Sequence, residues 1–93
     1  MNSIKGKFAL VTGGTQGLGA AIAKNFAESE VEGIVTIGRQ EDKGNKVAKQ
    51  IQEETGCKVI FIKTDLSDVK QCRNAVAVTL KNFGKLDILV NAA

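Results

Sequence analysis

The sequence contains no histidine, tyrosine, tryptophan or proline, and it has only two cysteines, Cys57 and Cys72. Without histidine, the chain lacks the commonest general base. It also lacks the Cys–His or CxxC pairs that are typical of zinc sites and thiol nucleophiles. We therefore interpret both cysteines as reduced structural thiols, and we expect no metal site. These absences restrict the chemistry that this chain can perform by itself.

Aromatic residues and long apolar runs are also scarce. Aromatics make up 4% of the chain, and the net charge of +3 comes from Lys and Arg scattered among Asp and Glu. Nucleic-acid-binding surfaces usually combine a basic patch with aromatics, so we expect no nucleic-acid partner. No run of about 18 apolar residues occurs, so we expect no transmembrane helix. The N-terminal residues lack a signal-peptide pattern, which predicts a cytoplasmic protein.

Four apolar runs of strand length recur along the chain and are separated by segments of helix length. Each run is nearly continuous in Val, Ile, Leu and Phe, which is typical of strands that are buried on both faces. The runs span residues 8–12, 34–38, 59–64 and 86–90. The composition of 43% apolar and 25% charged residues predicts one globular domain over residues 1–93.

The intervening segments show helical periodicity and helix-end signals. The second helix is predicted from about residue 42 to Thr55, with Gly56 as its stop signal. The third is predicted to begin with Ser67 as its N-cap, which places Asp68 in the first turn. Apolar residues form one stripe on each of two helices: Leu18, Ile22 and Phe26 on the first, and Val69, Cys72, Val76, Leu80 and Phe83 on the third.

The alternation of strands and helices predicts an α/β fold with a parallel sheet and right-handed crossovers. The expected strand order is 3-2-1-4, with the first two helices on one face and the third on the other. The fourth strand then lies at an edge, and one helix cannot cover a face of four strands. We therefore expect a Rossmann-type half-domain that is truncated after strand four.

The segment from Thr12 to Gly19 connects the first strand to the first helix through closely spaced glycines. Glycines at such a junction permit a sharp turn, a close approach of backbone to phosphates, and tight packing of helix on strand. The following helix offers unpaired N–H groups and the positive end of its dipole. This pattern predicts a site for the pyrophosphate of a dinucleotide.

The chain resembles the N-terminal part of the short-chain dehydrogenase/reductase family. Thr12-Gly13-xxx-Gly17-x-Gly19 matches the family's TGxxxGxG motif, Asp65-Leu66 matches its adenine-binding pair, and Asn91-Ala92-Ala93 matches the start of its NAAG motif. Two purely structural alternatives stay open: Thr15 and Gln16 could be ordinary turn residues, and Asp65 could be a helix N-cap. The resemblance implies that the cofactor contacts are Gly13, Thr15, Gln16, Gly17, Leu18, Gly19, Arg39, Asp65, Leu66, Asn91 and Ala92.

The end of the second strand bears on which dinucleotide would bind. NAD-dependent enzymes usually place a carboxylate there for the ribose hydroxyls, whereas this chain has Gly38 followed by Arg39. A guanidinium can pair with a 2′-phosphate, which favours NADP, with NAD as the alternative. Arg39 could instead be a solvated loop charge. Gln16 departs from relatives that carry a basic residue before the middle glycine.

The resemblance implies a part of an oxidoreductase that interconverts an alcohol and a carbonyl of a small-molecule substrate. The family's Ser-Tyr-Lys catalytic set follows the NAAG motif, and this chain contains no tyrosine. We therefore expect the chain alone to be inactive and the full-length protein to be a homo-oligomer. The alternative is a non-catalytic nucleotide-binding or interaction module. A phosphate-handling enzyme is disfavoured because GxxxxGK[ST] is absent.

Overall fold

The computed structural model describes residues 3–14 and 17–92 of the chain. Four parallel strands form one sheet in the order β3-β2-β1-β4, which confirms the predicted α/β architecture. The observed strand bounds agree with the predicted ones to within two residues, and those of β1 are identical. In chain order the elements are β1 (Phe8–Thr12), α1 (Gly17–Glu28), β2 (Gly33–Gly38), α2 (Glu41–Thr55), β3 (Lys58–Lys63), α3 (Val69–Phe83) and β4 (Ile88–Asn91).

The strands end at nearly the same level of the sheet. Thr12 lies opposite Ile37 on one side and Asn91 on the other, and Ile37 in turn lies opposite Ile62. Because all strands run in the same direction, the segments that follow them emerge together at the carboxyl edge. This register determines which loops can share a site.

The helices cover both faces of the sheet, as predicted. The face beneath α1 and α2 holds the larger apolar cluster, which includes Val11, Ile34 and Ile51. The face beneath α3 holds the smaller cluster of Leu10, Val35, Ile37 and Ala75, with Ile60 and Ile62 packed against it but only half-buried. The α3 face is therefore the less completely covered of the two.

The contact between α3 and the sheet differs from the expected apolar stripe. The buried residues of α3 are Ala75 and Thr79, whereas Val69 is 62% exposed and Leu80 is 44% exposed. Small side chains let the helix backbone approach the sheet closely, and this rotates the larger side chains outward. The same preference holds for α1, whose buried residues are Gly19, Ala23 and Ala27.

The helix ends confirm one predicted cap and correct another. Gly56 ends α2 in a left-handed conformation, as expected from its position. The N-cap of α3 is Asp68 and not Ser67, because the Asp68 carboxylate accepts hydrogen bonds from the backbone N–H groups of Lys70 and Gln71. Within residues 3–14 and 17–92, no helix combines the length and apolar character needed to cross a membrane.

Candidate functional site

The carboxyl edge of the sheet gathers most of the predicted site residues. In open parallel sheets, ligands bind outside this edge where the strand order reverses, which here is between β1 and β4. Thr15 and Gln16 belong to the predicted set but lie outside the described residues. The described members that close or follow a strand are Gly13, Gly17, Leu18, Gly19, Arg39, Asp65, Leu66, Asn91 and Ala92.

The turn that leaves β1 depends on two glycines. Gly13 has a φ of 73°, which lies in the left-handed region that glycine adopts without strain. Its N–H donates to the Ile37 carbonyl over 2.9 Å, so the turn is anchored to β2. A Cβ on Gly19 would overlap the Gly13 carbonyl oxygen. The start of α1 therefore packs against the turn at a separation that a larger residue would prevent.

Gly14 forms the next part of the turn and lies over Thr36 of β2. A Cβ on Gly14 would come within 2.7 Å of both Cβ and Cγ2 of Thr36. Thr36 is 1% exposed, and its Oγ1 has no hydrogen-bond partner among the described residues. Thr36 could not be identified from the sequence, because a threonine in an apolar strand carries no distinctive signal. Its side chain supports the glycine turn from below.

The N-terminus of α1 presents an environment that suits an anion. The helix begins at Gly17, no acidic side chain lies in its first described turn, and Leu18 projects outward with 68% exposure. The first N–H groups of a helix have no partner within it, and its dipole places partial positive charge there. A phosphate-bearing ligand fits this arrangement, because the backbone is exposed at Gly17, where an added Cβ would meet nothing within 4 Å.

Thr12 joins the glycine turn to β4. Its hydroxyl donates to Asn91 Oδ1 over 2.9 Å, and Thr12 Oγ1 accepts the Ala92 N–H over 3.1 Å. Thr12 is 8% exposed, so these bonds are largely shielded from water. The asparagine and the glycine turn are thus held together by a side chain at the end of the central strand.

Arg39 and Asp65 lie near each other at the ends of β2 and β3. The Thr64 N–H donates to the Gly38 carbonyl over 2.7 Å, which brings the two loops together. Arg39 is exposed and carries no acidic neighbour in sequence until Glu41. The pKa of the Asp65 carboxyl is lowered mainly by hydrogen bonds from Ser67, and the positive charge of Arg39 is the smallest contribution. This corner therefore combines an accessible cation with an acceptor group.

The Asp65 carboxylate organises the turn before α3. Its Oδ1 accepts from the Ser67 hydroxyl over 2.7 Å and from the Ser67 N–H over 2.9 Å. Hydrogen bonds from the Ser67 side chain, and then from its backbone, hold the pKa of Asp65 below its usual value of 3.8. Ser67 therefore donates hydrogen bonds to Asp65 and does not cap α3. This corrects the expectation that Ser67 is the N-cap and that Asp65 lacks such bonds.

Gln71 is a second residue of the site that was not predicted from the sequence. Its Oε1 accepts the Asp65 N–H over 2.8 Å, and its Nε2 donates to Asp68 Oδ2 over 3.2 Å. The spacing of Asp68 and Gln71 is that of a capping box, and this signal could have identified it. In residues 3–14 and 17–92, no three His, Cys, Asp or Glu side chains form a group that could hold a metal ion.

The fold and the site define a Rossmann-type α/β domain with a glycine turn at its switch point. Residues 7–93 match the family model for short chain dehydrogenases, and the chain belongs to this family. The chain is 40% identical over 90 residues to an uncharacterized oxidoreductase of Thermotoga maritima, covering 97% of the chain and 34% of that relative.

Two further comparisons agree with this membership. A 2,5-dichloro-2,5-cyclohexadiene-1,4-diol dehydrogenase of Sphingobium indicum is 41% identical over 95 residues, covering 99% of the chain and 36% of the relative. The crystal structure of L-sorbose reductase from Gluconobacter frateurii, complexed with NADPH and L-sorbose, superposes with a TM-score of 0.94 at 35% identity, covering 100% of the chain and 35% of the reductase. The chain therefore spans about a third of the length of these relatives.

Proposed function

We propose that the chain is the NADP(H)-binding part of an oxidoreductase that interconverts an alcohol and a carbonyl of a small-molecule substrate. The observation that carries this proposal is the shared carboxyl edge, where the glycine turn, Arg39, Asp65 and Asn91 meet. The relatives described above are named as oxidoreductases, dehydrogenases or reductases. Their names support the catalytic interpretation over a non-catalytic module.

The glycine turn is the proposed pyrophosphate site. The exposed backbone at Gly17, where an added Cβ would meet nothing within 4 Å, would let phosphate oxygens approach the N–H groups at the start of α1. The remaining contacts proposed for this part of the cofactor are Thr15, Gln16, Gly17 and Leu18. A nicotinamide dinucleotide bound here would supply or accept the hydride of the reaction.

The adenosine half of the cofactor is assigned to the loops after β2 and β3. Asp65 and Leu66 would contact the adenine ring, and Arg39 would pair with the 2′-phosphate that distinguishes NADP from NAD. Gly38 cannot supply the carboxylate that would accept the ribose hydroxyls of NAD. The NADPH in the L-sorbose reductase complex is consistent with this preference.

Asn91 and Ala92 are assigned to the cofactor loop at the end of β4, where the bonds to Thr12 hold them. We assign no catalytic residue to the chain, since the Ser-Tyr-Lys set expected from the family has no tyrosine here to complete it. We also propose, from the sequence pattern and the family resemblance, a cytoplasmic location and a homo-oligomeric full-length protein.

Replacing Arg39 tests the cofactor assignment. Arg39→Asp in the intact protein should weaken NADPH binding about tenfold or more, because a charge-assisted bond is replaced by repulsion. NADH binding should change little. Arg73→Asp is the matched control, since it reverses the same charge on the exposed surface of α3. Equal losses for both dinucleotides, measured by fluorescence titration, would remove Arg39 from the 2′-phosphate site.

A further inference from the structure

Gln71 connects the Asp65 backbone to the N-terminus of α3. Its amide oxygen accepts the Asp65 N–H at 2.8 Å, while its amide nitrogen donates to Asp68 at 3.2 Å. The two partners determine the orientation of the amide, because an N–H requires an acceptor and a carboxylate requires a donor. One side chain thus fixes the distance between a loop and a helix.

This arrangement differs from an ordinary capping box. In a capping box, the side chain at the third helical position returns to the N–H of the N-cap residue itself. Here the N–H of the N-cap, Asp68, already donates to the Asp65 carbonyl over 3.0 Å. Gln71 reaches three residues further back, to Asp65. The side-chain acceptor that would normally bond to the N-cap N–H instead bonds to the Asp65 N–H, in the segment that follows β3.

The held segment has few other restraints on its outer side. Leu66 is 41% exposed, and the Asp65 side chain is bonded to Ser67, the next residue but one. Besides the bond to Gln71, the Asp68 N–H donates to the Asp65 carbonyl, and the Cys72 thiol of α3 makes a long contact of 3.5 Å with the Leu66 carbonyl oxygen. Loss of the Gln71 acceptor would leave the Asp65 N–H to solvent and allow the backbone to rotate.

We propose that Gln71 is a positioning residue that sets the Asp65–Leu66 backbone to receive the adenosine half of the dinucleotide. This inference rests on the proposed function of the site. Gln71 does not contact the ligand; it acts through the Asp65 N–H. Because Asp65 and Leu66 face the adenosine half only, Gln71 influences affinity for adenosine-bearing ligands and not the hydride-transfer step.

Two charged variants distinguish the acceptor role of the Gln71 amide from its donor role. Gln71→Glu keeps an acceptor for the Asp65 N–H and loses the donor to Asp68. Gln71→Lys keeps a donor to Asp68 and loses the acceptor. General electrostatics would favour the lysine variant for an anionic dinucleotide and disfavour the glutamate variant. The proposed role predicts the opposite order, so the comparison distinguishes position from charge.

The test measures dissociation constants for NADPH and for 2′,5′-ADP in the intact protein, together with thermal stability. Gln71→Lys and Gln71→Ala should bind both ligands about three- to tenfold more weakly, which corresponds to one lost hydrogen bond. Gln71→Glu should bind both ligands more tightly than Gln71→Lys, although its carboxylate faces that of Asp68. Gln50→Ala is the control, because Gln50 is an exposed helical glutamine that donates to Glu54 on α2.

Hydrogen exchange at the Asp65 amide gives a second readout that needs no ligand. Protection should persist in Gln71→Glu and fall in Gln71→Lys. The role of Gln71 would be overturned if Gln71→Glu bound as weakly as Gln71→Lys. It would also be overturned if the Asp65 amide exchanged equally fast in the wild type, Gln71→Glu and Gln71→Lys. Failure of the wild-type protein to bind any dinucleotide, with the exchange pattern intact, would instead overturn the proposed function.

Discussion

The Thr12 hydroxyl donates to Asn91 Oδ1 over 2.9 Å and so joins two residues that are 79 positions apart. The Thr12 hydroxyl oxygen also accepts the Ala92 N–H, which fixes the backbone just past the end of β4. One buried hydroxyl therefore couples the strand that leads into the glycine turn to the neighbouring strand at the switch point.

Removing this hydroxyl should destabilise the protein. Thr12→Val keeps the shape of the side chain but leaves Asn91 Oδ1 and the Ala92 N–H without this partner, which should lower the free energy of unfolding by about 1–3 kcal/mol. Thr12→Ser retains the hydroxyl and is the control. Urea denaturation followed by circular dichroism gives both values. A valine variant as stable as the serine variant would contradict the role of the hydroxyl.

Thr36 should behave in the opposite way. Its hydroxyl is buried with no partner among the described residues, so Thr36→Val removes an uncompensated polar group and should raise stability by about 1 kcal/mol. Thr79 is also fully buried, but its hydroxyl donates to the Ala75 carbonyl over 2.8 Å. Thr79→Val should therefore bring no gain. A loss of stability in Thr36→Val would show that a bound water satisfies the hydroxyl.

The contact between Gly19 and the Gly13 carbonyl predicts a large effect of a single methyl group. Gly19→Ala would push the start of α1 away from the turn, because neither backbone can yield, and should lower stability by about 1–3 kcal/mol. Dinucleotide binding should fall with it. Gly44→Ala, whose added Cβ would meet the Phe61 ring, should lower stability without a specific loss of binding. Calorimetry and ligand titration of both variants separate the two effects.

The pKa of the Asp65 carboxyl should depend on Ser67. The Ser67 hydrogen bonds lower the pKa of Asp65 in the folded state, so the ionised carboxylate stabilises the turn above pH 3.8. This contribution is lost as the pH falls through the lower folded-state pKa. Ser67→Ala should raise the pKa of Asp65 towards 3.8, as measured by carboxyl NMR. Ser29→Ala, on an exposed residue after α1, should leave it unchanged.

The sequence was sufficient for the element order and the sheet topology because buried parallel strands produce continuous apolar runs. It did not predict how α3 would rotate. The apolar stripe identified Val76 and Leu80, which are 39% and 44% exposed, whereas the packed residues are Ala75 and Thr79. Helical periodicity in the sequence identifies hydrophobic residues, but the residues of a helix that pack closely on a sheet must also be small.

The candidate site was partly predictable for a related reason. Glycine spacing and the residues after each strand are local signals, so Gly13, Gly19 and Asp65 were identifiable. Ser67 and Asp68 are both good N-cap residues, and only the geometry assigns the cap to Asp68. Thr36 acts through a contact between elements, which a single sequence does not reveal. Gln71 lies at capping-box spacing from Asp68, but only the geometry shows that it accepts the Asp65 N–H.

The position of β1 between β2 and β4 has a consequence for how the protein folds. The pairing of β1 with β2 closes a short loop, whereas its pairing with β4 joins Thr12 to Asn91 across nearly the whole described chain. Contacts of such high sequence separation form late, since their loop-closure entropy must be overcome before they contribute energy. We therefore expect the carboxyl edge between β1 and β4 to be completed in the last stage of folding. Any ligand that binds there would select chains in which this final pairing has already taken place.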